Sequence, residues 1–415
     1  MRSFFSHRGF GIIIRCMMIQ GAIIGIALNC IGVFMVAICA DKGFSTGAFS
    51  AYATLRILSG SLLMPFLSPV IFGRFGKYNR YVNMLFGGMV FAGMILSTLF
   101  NSIIWWYVLG ILTGVCYTFF SINQAMVISN WFHHKYALAL GLVGTMSGLA
   151  GAVFSPIASW MILRFGWQTA MIVISLIGLA LVVLGGKGVY LKPEEVGAQP
   201  YTNPIGSDGQ DPAPAVKDIR YTKPAGRMLF GFLLLVMVCN LTLANCVLHL
   251  PNYAHEVGYN LEIAALFTSF AMLGNVGGKL AFGMLCDHFD CRKITVLSFV
   301  AIGLALVLIA NKSLGLIPML ICSFFIGTSQ SAQFVLMPTL SRELYGQISY
   351  AKNYPKLFSI GALLSAPLFT LAGVSSDATG SYRTGMAVMV AFYAVSIVVL
   401  LCAYGIHRRG IKQTA

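Results

Sequence analysis

The feature that most constrains this chain is a succession of apolar runs, each about as long as a lipid bilayer is thick. A helix needs about 20 apolar residues to cross the hydrocarbon core, and the 415-residue sequence holds twelve such runs. Membrane β-strands would instead be short and would alternate polar with apolar residues. The runs therefore predict an all-α membrane protein with twelve transmembrane helices. They lie near residues 17–39, 48–72, 81–100, 104–128, 137–161, 168–190, 228–250, 260–286, 294–311, 314–338, 356–375 and 384–405.

Composition excludes a soluble protein. Hydrophobic residues make up 58% of the chain and charged residues 9%, whereas about a quarter of the residues of a soluble domain are charged. The ten cysteines include no Cys-x-x-Cys pair, so we expect packing roles for them, and no metal site, cofactor or disulfide framework. The first run is longer than the core of a signal peptide, about 7–15 residues, and is read as the first transmembrane helix.

Positive charges predict the orientation. If the N-terminus is inside, 21 of the 27 lysines and arginines fall on the inner side, which satisfies the positive-inside rule. Both termini are then cytoplasmic, in a cytoplasmic (inner) membrane. The cations are spread over every inner loop, so the basic balance indicates topology and no nucleic-acid partner. The exceptions are Lys42, Arg164, Lys312 and Arg383 in outer loops, and Arg56 and Lys279 within runs.

A hydrophilic stretch divides the chain. Residues 191–226 are rich in Pro, Gly and Asp and have no apolar periodicity, which is typical of a linker. We expect a six-helix half at 1–190, a cytoplasmic linker at 191–226 and a second six-helix half at 227–415.

The halves carry matching features at one offset. Arg74 aligns with His288 and Gly166 with Gly380 at 214 residues, and Gly114 aligns with its counterpart in the second half, Gly327, at 213. Agreement between independent pairs indicates an internal duplication.

A basic turn follows the second run of each half. The second copy reads GMLCDHFDCRK, with Gly283, Leu285, Asp287, Arg292 and Lys293. Two six-helix halves with such turns resemble the major facilitator superfamily, which implies the fold of that family and a gating role for the motif.

The first copy of the motif is degenerate. It retains Arg74, Gly76 and Lys77, but Gly73 stands where the family has an acid. By the resemblance, these three residues belong to the gating motif of the first half.

A subgroup resemblance rests on residues 130–171, NWFHHKYALALGLVGTMSGLAGAVFSPIASWMILRFGWQTAM. A Trp-Phe pair before a basic turn, a glycine-rich fifth helix and a Gly-Trp turn are similar to the oxalate:formate antiporter and monocarboxylate transporter group. That likeness implies transport of small organic anions.

The presence of two cations within the runs needs an explanation, because a charge at the bilayer centre costs about 2.5–3.5 kcal/mol. All twelve acids of the chain lie in loops or at predicted helix ends, so we expect Lys279 and Arg56 to attract an anionic substrate. Lys279 matches the family's arginine in helix eight, about 12 Å above the basic turn. A gating charge and a snorkelling lysine are the alternatives.

Arg56 lies about 27 Å from the first basic turn. It either steers anions and closes the outer gate, or snorkels to the outer interface. The oxalate transporter has a further lysine in helix eleven, where this chain reads Ser359, Ile360 and Gly361. A missing second cation favours a monocarboxylate over a dianion.

Polar residues at mid-depth complete the expected site, because helices one, four, seven and ten line the cavity in this superfamily. Tyr117 matches a family tyrosine, and Asn29 replaces a family aromatic. For each, an interhelical hydrogen bond is the alternative. The candidates are Tyr117, Asn29, Gln330, Gln333, Asn245 and Asn240.

The predicted function is secondary transport of small organic anions by a functional monomer in the lipid bilayer, and no enzyme activity. Exchange or facilitated diffusion is favoured because every acid lies in a loop or at a predicted helix end; proton symport through His249 is the alternative. A cation exporter would need intramembrane acids, and an intramembrane enzyme a cluster of catalytic groups. A transporter-like sensor stays open.

Overall fold

The structure is a computed structural model. It describes residues 7–44, 46–202, 221, 223–244, 247, 250–259, 261–311, 314–369 and 382–414. These ranges are almost entirely helical, with one isolated β-bridge between Phe132 and Tyr201.

The described helices occupy all twelve predicted runs, and each run with its helices is called a span below. Spans one, two and ten are made of successive helical segments. In chain order the bounds are Arg8–Gln20, Gly21–Asn29 and Ile31–Lys42 (span one), Thr46–Ser68 and Pro69–Arg74 (two), Asn79–Ser97 (three), Ile103–Trp131 (four), Tyr136–Phe165 (five), Trp167–Gly186 (six), Lys223–Ala244 with Leu250–Glu256 (seven), Leu261–His288 (eight), Cys291–Ile309 (nine), Leu316–Ser331, Ala332–Leu336 and Met337–Tyr345 (ten), Gln347–Phe369 (eleven) and Tyr382–Thr414 (twelve).

Within the described ranges, ten helical segments are long and apolar enough to cross a membrane. The ten do not include spans eight and eleven; span eight contains Lys279, and span eleven contains Lys352 and Lys356. The predicted all-α membrane fold is confirmed.

Among the described residues, three spans contain a π-helical segment, a wider turn that is frequent at functional sites. The segments are Gly21–Asn29 in span one, Pro69–Arg74 in span two and Ala332–Leu336 in span ten. The first ends at a predicted site residue, Asn29, and the second at a predicted gate residue, Arg74.

The chain forms two compact units. The first contains residues 1–134 and 142–214, and the second contains residues 135–141 and 215–415. The start of span five thus belongs with the second unit. The domain boundaries proposed from the sequence stay a prediction.

Both units contain the same helix crossing. In the first, Gly60 of span two packs on Gly114 of span four; in the second, Gly274 of span eight packs on Phe324 of span ten, and Gly327 of span ten packs on Ala271 of span eight. A Cβ on any of the four would collide with the backbone of the opposite helix. Because Gly274 lies 214 residues after Gly60, this crossing supports the repeat inferred from sequence offsets.

Part of the predicted linker is folded. Residues 191–202 pack on the first unit, where Tyr201 N–H donates to Trp131 O at 2.8 Å. Residues 203–220 lie outside the described residues, and span seven already begins at Lys223. In this structure the end of each unit that adjoins residues 191–226 is called the linker end.

Arg342, Lys352 and Lys356 are among the cations that the sequence assigned to inner loops and that lie instead in helices, which corrects that assignment. Span ten continues to Tyr345 and includes Arg342, which is only 4% exposed. Span eleven begins at Gln347 and includes Lys352 and Lys356. Hydropathy windows end where composition turns polar, whereas a helix continues as long as its backbone hydrogen bonds are made.

Candidate functional site

Arg56 and Tyr117, predicted separately, lie side by side in the first unit. The Arg56 guanidinium carbon lies 5.2 Å from the centre of the Tyr117 ring and 5.9 Å from that of Tyr52. Arg56 is half-buried, and within the described part of the chain no carboxylate forms an ion pair with it. Two aromatic faces flank this cation, and its predicted roles, a steering or gating charge or a snorkelling arginine, stay predictions.

The crossing of spans two and four fixes this cluster. Ser59 Oγ donates to Ile111 O at 2.9 Å and to Arg56 O at 3.2 Å. The Tyr117 hydroxyl is buried and makes no hydrogen bond of standard geometry with any described residue. A buried hydroxyl beside a cation can donate to an anion.

Asn29 lies elsewhere in the first unit, at the contact of spans one and five. Its Nδ2 donates to Ser147 O at 3.1 Å, and its side chain covers Gly151. The interhelical hydrogen bond, the alternative reading, is therefore present. The side chain is also exposed, so its carbonyl oxygen and second amide hydrogen stay accessible.

In the second unit, Lys279 is buried in span eight and 4% exposed. Its Nζ lies 5.3 Å from the centre of the Phe334 ring, which belongs to the π-helical segment of span ten. Nine residues separate Lys279 from the end of span eight at His288, a rise of about 13.5 Å, so the ammonium group lies deep in the membrane span.

A hydrogen-bond network lies one helical turn from Lys279. Asn275 Nδ2 donates to Gln330 Oε1 at 2.7 Å, and Gln330 Nε2 donates to Ala244 O at 3.3 Å. Ser331 Oγ donates to Asn275 O at 2.6 Å. Gln330 thus joins spans seven, eight and ten next to the buried lysine.

The other polar candidates differ in their surroundings. Gln333 lies half-buried within the π-helical segment. Asn240 is fully buried, and its amide makes no hydrogen bond with any described residue. Asn245 and His249 lie outside the described residues, so their predicted roles stay predictions.

The second-half motif contacts the start of span five, which belongs to the second unit. The Asp287 carboxylate accepts hydrogen bonds from Ala137 N at 3.1 Å and Leu138 N at 2.9 Å. Gly283 lies against Ala137, where a Cβ would not fit without displacement. A carboxylate at the N-terminus of a helix is favoured by the helix dipole and by the free N–H groups.

The remaining motif residues are on the surface of the second unit. Asp290 caps span nine by accepting from Arg292 N at 2.9 Å, and Arg292 Nη2 lies 3.5 Å from the same carboxylate. Lys293 is exposed. These contacts hold the turn that presents Asp287.

Arg342 is a buried cation that the sequence did not indicate as part of the site. Its guanidinium lies 4.4 Å from the centre of the Tyr136 ring. Tyr136 Oη and Tyr350 Oη are 3.3 Å apart, and Tyr350 stacks on Tyr354. The cluster is built around the same start of span five that Asp287 caps.

The first-half motif has a different geometry. Gly73 and Arg74 end the π-helical segment, and Arg74 is exposed. Gly76 packs on Leu191, and Lys77 Nζ lies 4.9 Å from the centre of the Tyr78 ring. Without an acid at position 73, the first copy has no counterpart of Asp287.

Sequence comparison decides the family. A profile described as "Major Facilitator Superfamily" matches residues 17–349, which is most of the chain. The chain belongs to the Major Facilitator Superfamily.

Curated members of this superfamily include clear relatives. Monocarboxylate transporter 13 of Bos taurus is 25% identical over 394 residues, which cover 92% of this chain and 86% of that protein. Monocarboxylate transporter 12 of Rattus norvegicus is 25% identical over 363 residues, which cover 80% and 72%. As a member of this family, the chain is a transporter and not an enzyme.

Solved structures agree on the fold. A variant of the E. coli fucose:proton symporter FucP aligns with a TM-score of 0.69 at 14% identity, over 96% of this chain and 99% of that one. The human organic anion transporter MFSD10 (TETRAN) aligns with a TM-score of 0.66 at 12% identity, over 94% of this chain and 98% of that one. These superfamily structures place the chain in the major facilitator fold.

Several contact residues escaped the sequence reasoning. Asn275 precedes Lys279 by four residues and Phe334 follows Gln330 by four, so helical spacing around the chosen residues would have indicated both. No comparable signal marks Arg342, because its place beside Tyr136 depends on tertiary packing.

Proposed function

We propose that this superfamily member carries small organic anions, chiefly monocarboxylates, across the cytoplasmic membrane by alternating access. Lys279 is the proposed anchor for the carboxylate. Arg56, Tyr117, Gln330 and Asn29 are proposed to assist binding.

The observation that carries the proposal is the burial of Lys279 beside a ring and a polar network. An ammonium group in this position is expensive to keep in a membrane unless it serves a purpose. A carboxylate attracted to it in a low-dielectric interior gains far more than it would in water. Amide groups such as those of Asn275 and Gln330 can complete its hydrogen bonds.

The relatives support the substrate class. Their names describe monocarboxylate transporters. From these relatives we carry over to this chain the substrate class alone. The likeness to the human organic anion transporter is one of fold.

Exchange or facilitated diffusion is the proposed mode. A bound anion would neutralise Lys279, so that the loaded carrier reorients readily and the empty carrier reorients poorly. Proton symport remains the alternative, with His249 as the titrating group. The distribution of cations supports an orientation with the linker and both termini in the cytoplasm.

A second candidate substrate is a dicarboxylate, and Lys356 favours it. Nine residues separate Lys356 from the start of span eleven at Gln347, the same rise of about 13.5 Å that separates Lys279 from the end of span eight. Span eleven therefore carries a lysine at the same distance from its first residue, three residues before Ser359, and the absence of a second central cation stays a prediction. Two cations at one depth suit a substrate with two carboxylates.

A thermal-shift screen tests the substrate class. Purified protein is heated with acetate, lactate, pyruvate, oxalate and succinate, because a ligand of the folded state raises the melting temperature. We expect the monocarboxylates to stabilise the wild type and not the Lys279→Gln variant. Stabilisation by dicarboxylates alone, lost in Lys356→Gln, would support the second candidate. A response to none of the five would contradict both.

A further inference from the structure

The first unit contains a cavity of about 740 Å³ at its linker end, a volume typical of small-molecule sites. One wall is a stripe of span one at helical spacing, and another is the end of span six with the residues that follow it. The lining residues include Arg8, Gly11, Arg15, Leu184, Lys187 and Tyr190.

Three cations surround this cavity. Arg8 and Lys187 are exposed, and Arg15 is half-buried. Arg15 Nη1 lies 3.5 Å from Leu184 O, and its guanidinium lies over Gly188, where an added Cβ would collide with it. The cation is thus fitted to the C-terminal end of span six, where the helix dipole favours positive charge.

Hydrogen bonds hold the remaining walls of the cavity in place. Trp131 lines the cavity, is 2% exposed, and donates from Nε1 to Tyr190 O at 2.9 Å. The acids nearby lie on the short helix Pro193–Val196, and there the Glu195 carboxylate accepts from Lys192 N at 3.1 Å.

The cavity has an apolar side as well. Leu184 lines it and is 57% exposed, and Ile14, next to Arg15, is 47% exposed. Exposed apolar residues of a spanning helix face lipid tails. A free phosphate ion would use only the cations, whereas a phospholipid would use both the cations and this apolar surface.

We propose that this cavity binds the headgroup of an anionic phospholipid, with the phosphate near Arg15 and Lys187 and the acyl chains along Leu184. Basic residues just outside a membrane span attract anionic lipids. The site is separate from Lys279 and Arg56, so it does not depend on the transported substrate.

Binding of lipid to the full-length protein tests the proposal. Detergent-purified protein is titrated with phosphatidylglycerol, phosphatidylcholine or inorganic phosphate, and lipid adducts are counted by native mass spectrometry. We expect phosphatidylglycerol to bind the wild type more tightly than phosphatidylcholine does. The double variant Arg15→Gln, Lys187→Gln should bind it about 25-fold more weakly, about fivefold for each cation.

Two further variants make the result decisive. Gly11 faces open space, since an added Cβ meets no atom within 4 Å; Gly11→Leu should fill the cavity without changing charge, and leucine favours the helix. The control Arg227→Gln, Lys352→Gln removes two cations from the second unit and should bind as the wild type does.

Each contrary outcome overturns the proposal. Unchanged phosphatidylglycerol binding by Gly11→Leu would show that the cavity is not the site, even if the charge variant failed to fold. An equal loss in the control would indicate general surface charge. Displacement of the lipid by inorganic phosphate at equal phosphate concentration would indicate a free-anion site.

Discussion

Several buried or half-buried cations in the described spans lie against an aromatic ring. Arg56 lies against Tyr52 and Tyr117, Lys279 against Phe334, and Arg342 against Tyr136. A cation over a ring gains about 0.5–2 kcal/mol, which offsets only part of the cost of burying charge. The arrangement keeps each cation in place, and Lys279 and Arg56 are the two that we propose to bind the substrate.

Removing the hydroxyl of Tyr117 distinguishes a role in substrate binding from a role in packing. Tyr117→Phe keeps the ring beside Arg56 and removes only the donor, so thermal stability should stay within about 0.5 kcal/mol. If the hydroxyl donates to the anion, the KM for transport should rise by about tenfold or more.

The matched control for Tyr117 is Tyr52→Phe, on the second ring that faces Arg56. It should leave the KM unchanged. Equal effects of the two substitutions on KM, measured in proteoliposomes, would assign Tyr117 to packing alone.

Close helix crossings organise both units at the level of the element. Gly60 and Gly114 in the first unit, and Gly274 and Gly327 in the second, each bring their helix against the backbone of the opposite helix, as small residues do in membrane helices. The crossing in the first unit holds Arg56, and the one in the second holds the span that carries Lys279.

Gly114→Ala tests the crossing. Its Cβ would collide with Arg56 O and Ser59 Oγ, so we expect a loss of about 1–3 kcal/mol, seen as a lower thermal midpoint. Gly88→Ala is the control because its Cβ meets no atom within 4 Å; it should be neutral or stabilising by up to about 1 kcal/mol. Equal midpoints for the two variants would contradict the assigned role.

Asp287→Asn tests the cap on span five. An amide offers one acceptor where the carboxylate offers two, and it carries no charge for the helix dipole, so stability should fall by about 0.5–2 kcal/mol. The exposed Glu194→Gln is the neutralising control and should leave the thermal midpoint unchanged. A thermal midpoint of Asp287→Asn equal to that of the wild type would show that Asp287 does not stabilise span five.

Sequence predicts elements better than it predicts contacts. The spans and the Asp287 motif follow from apolar runs and from local residue patterns, which need no knowledge of neighbours. Arg342 and Lys356 were misplaced because hydropathy ends a span at the first polar residues. The pairing of Arg56 with Tyr117, and of Lys279 with Phe334, depends on which helix faces meet. A single sequence does not reveal which faces these are.

The whole molecule is a transporter of the Major Facilitator Superfamily, and its proposed orientation follows from charge. Cysteine labelling in intact cells tests it. With an impermeant thiol reagent, Asn101→Cys, between spans three and four, should be labelled from outside. Glu194→Cys should be labelled only after the membrane is opened, and outside labelling at this position would reverse the topology.

The central claim is that Lys279 anchors the transported anion, and counterflow in proteoliposomes tests it most directly. Vesicles loaded with unlabelled lactate, acetate or pyruvate receive the same labelled anion outside at equal pH. We expect the wild type and Lys352→Gln to accumulate label, Lys279→Arg to retain part of the rate, and Lys279→Gln to lose at least about tenfold, because a carboxylate left desolvated without its cation loses several kcal/mol. Folding is checked by the thermal midpoint of each variant. Wild-type counterflow by a folded Lys279→Gln protein would contradict the account.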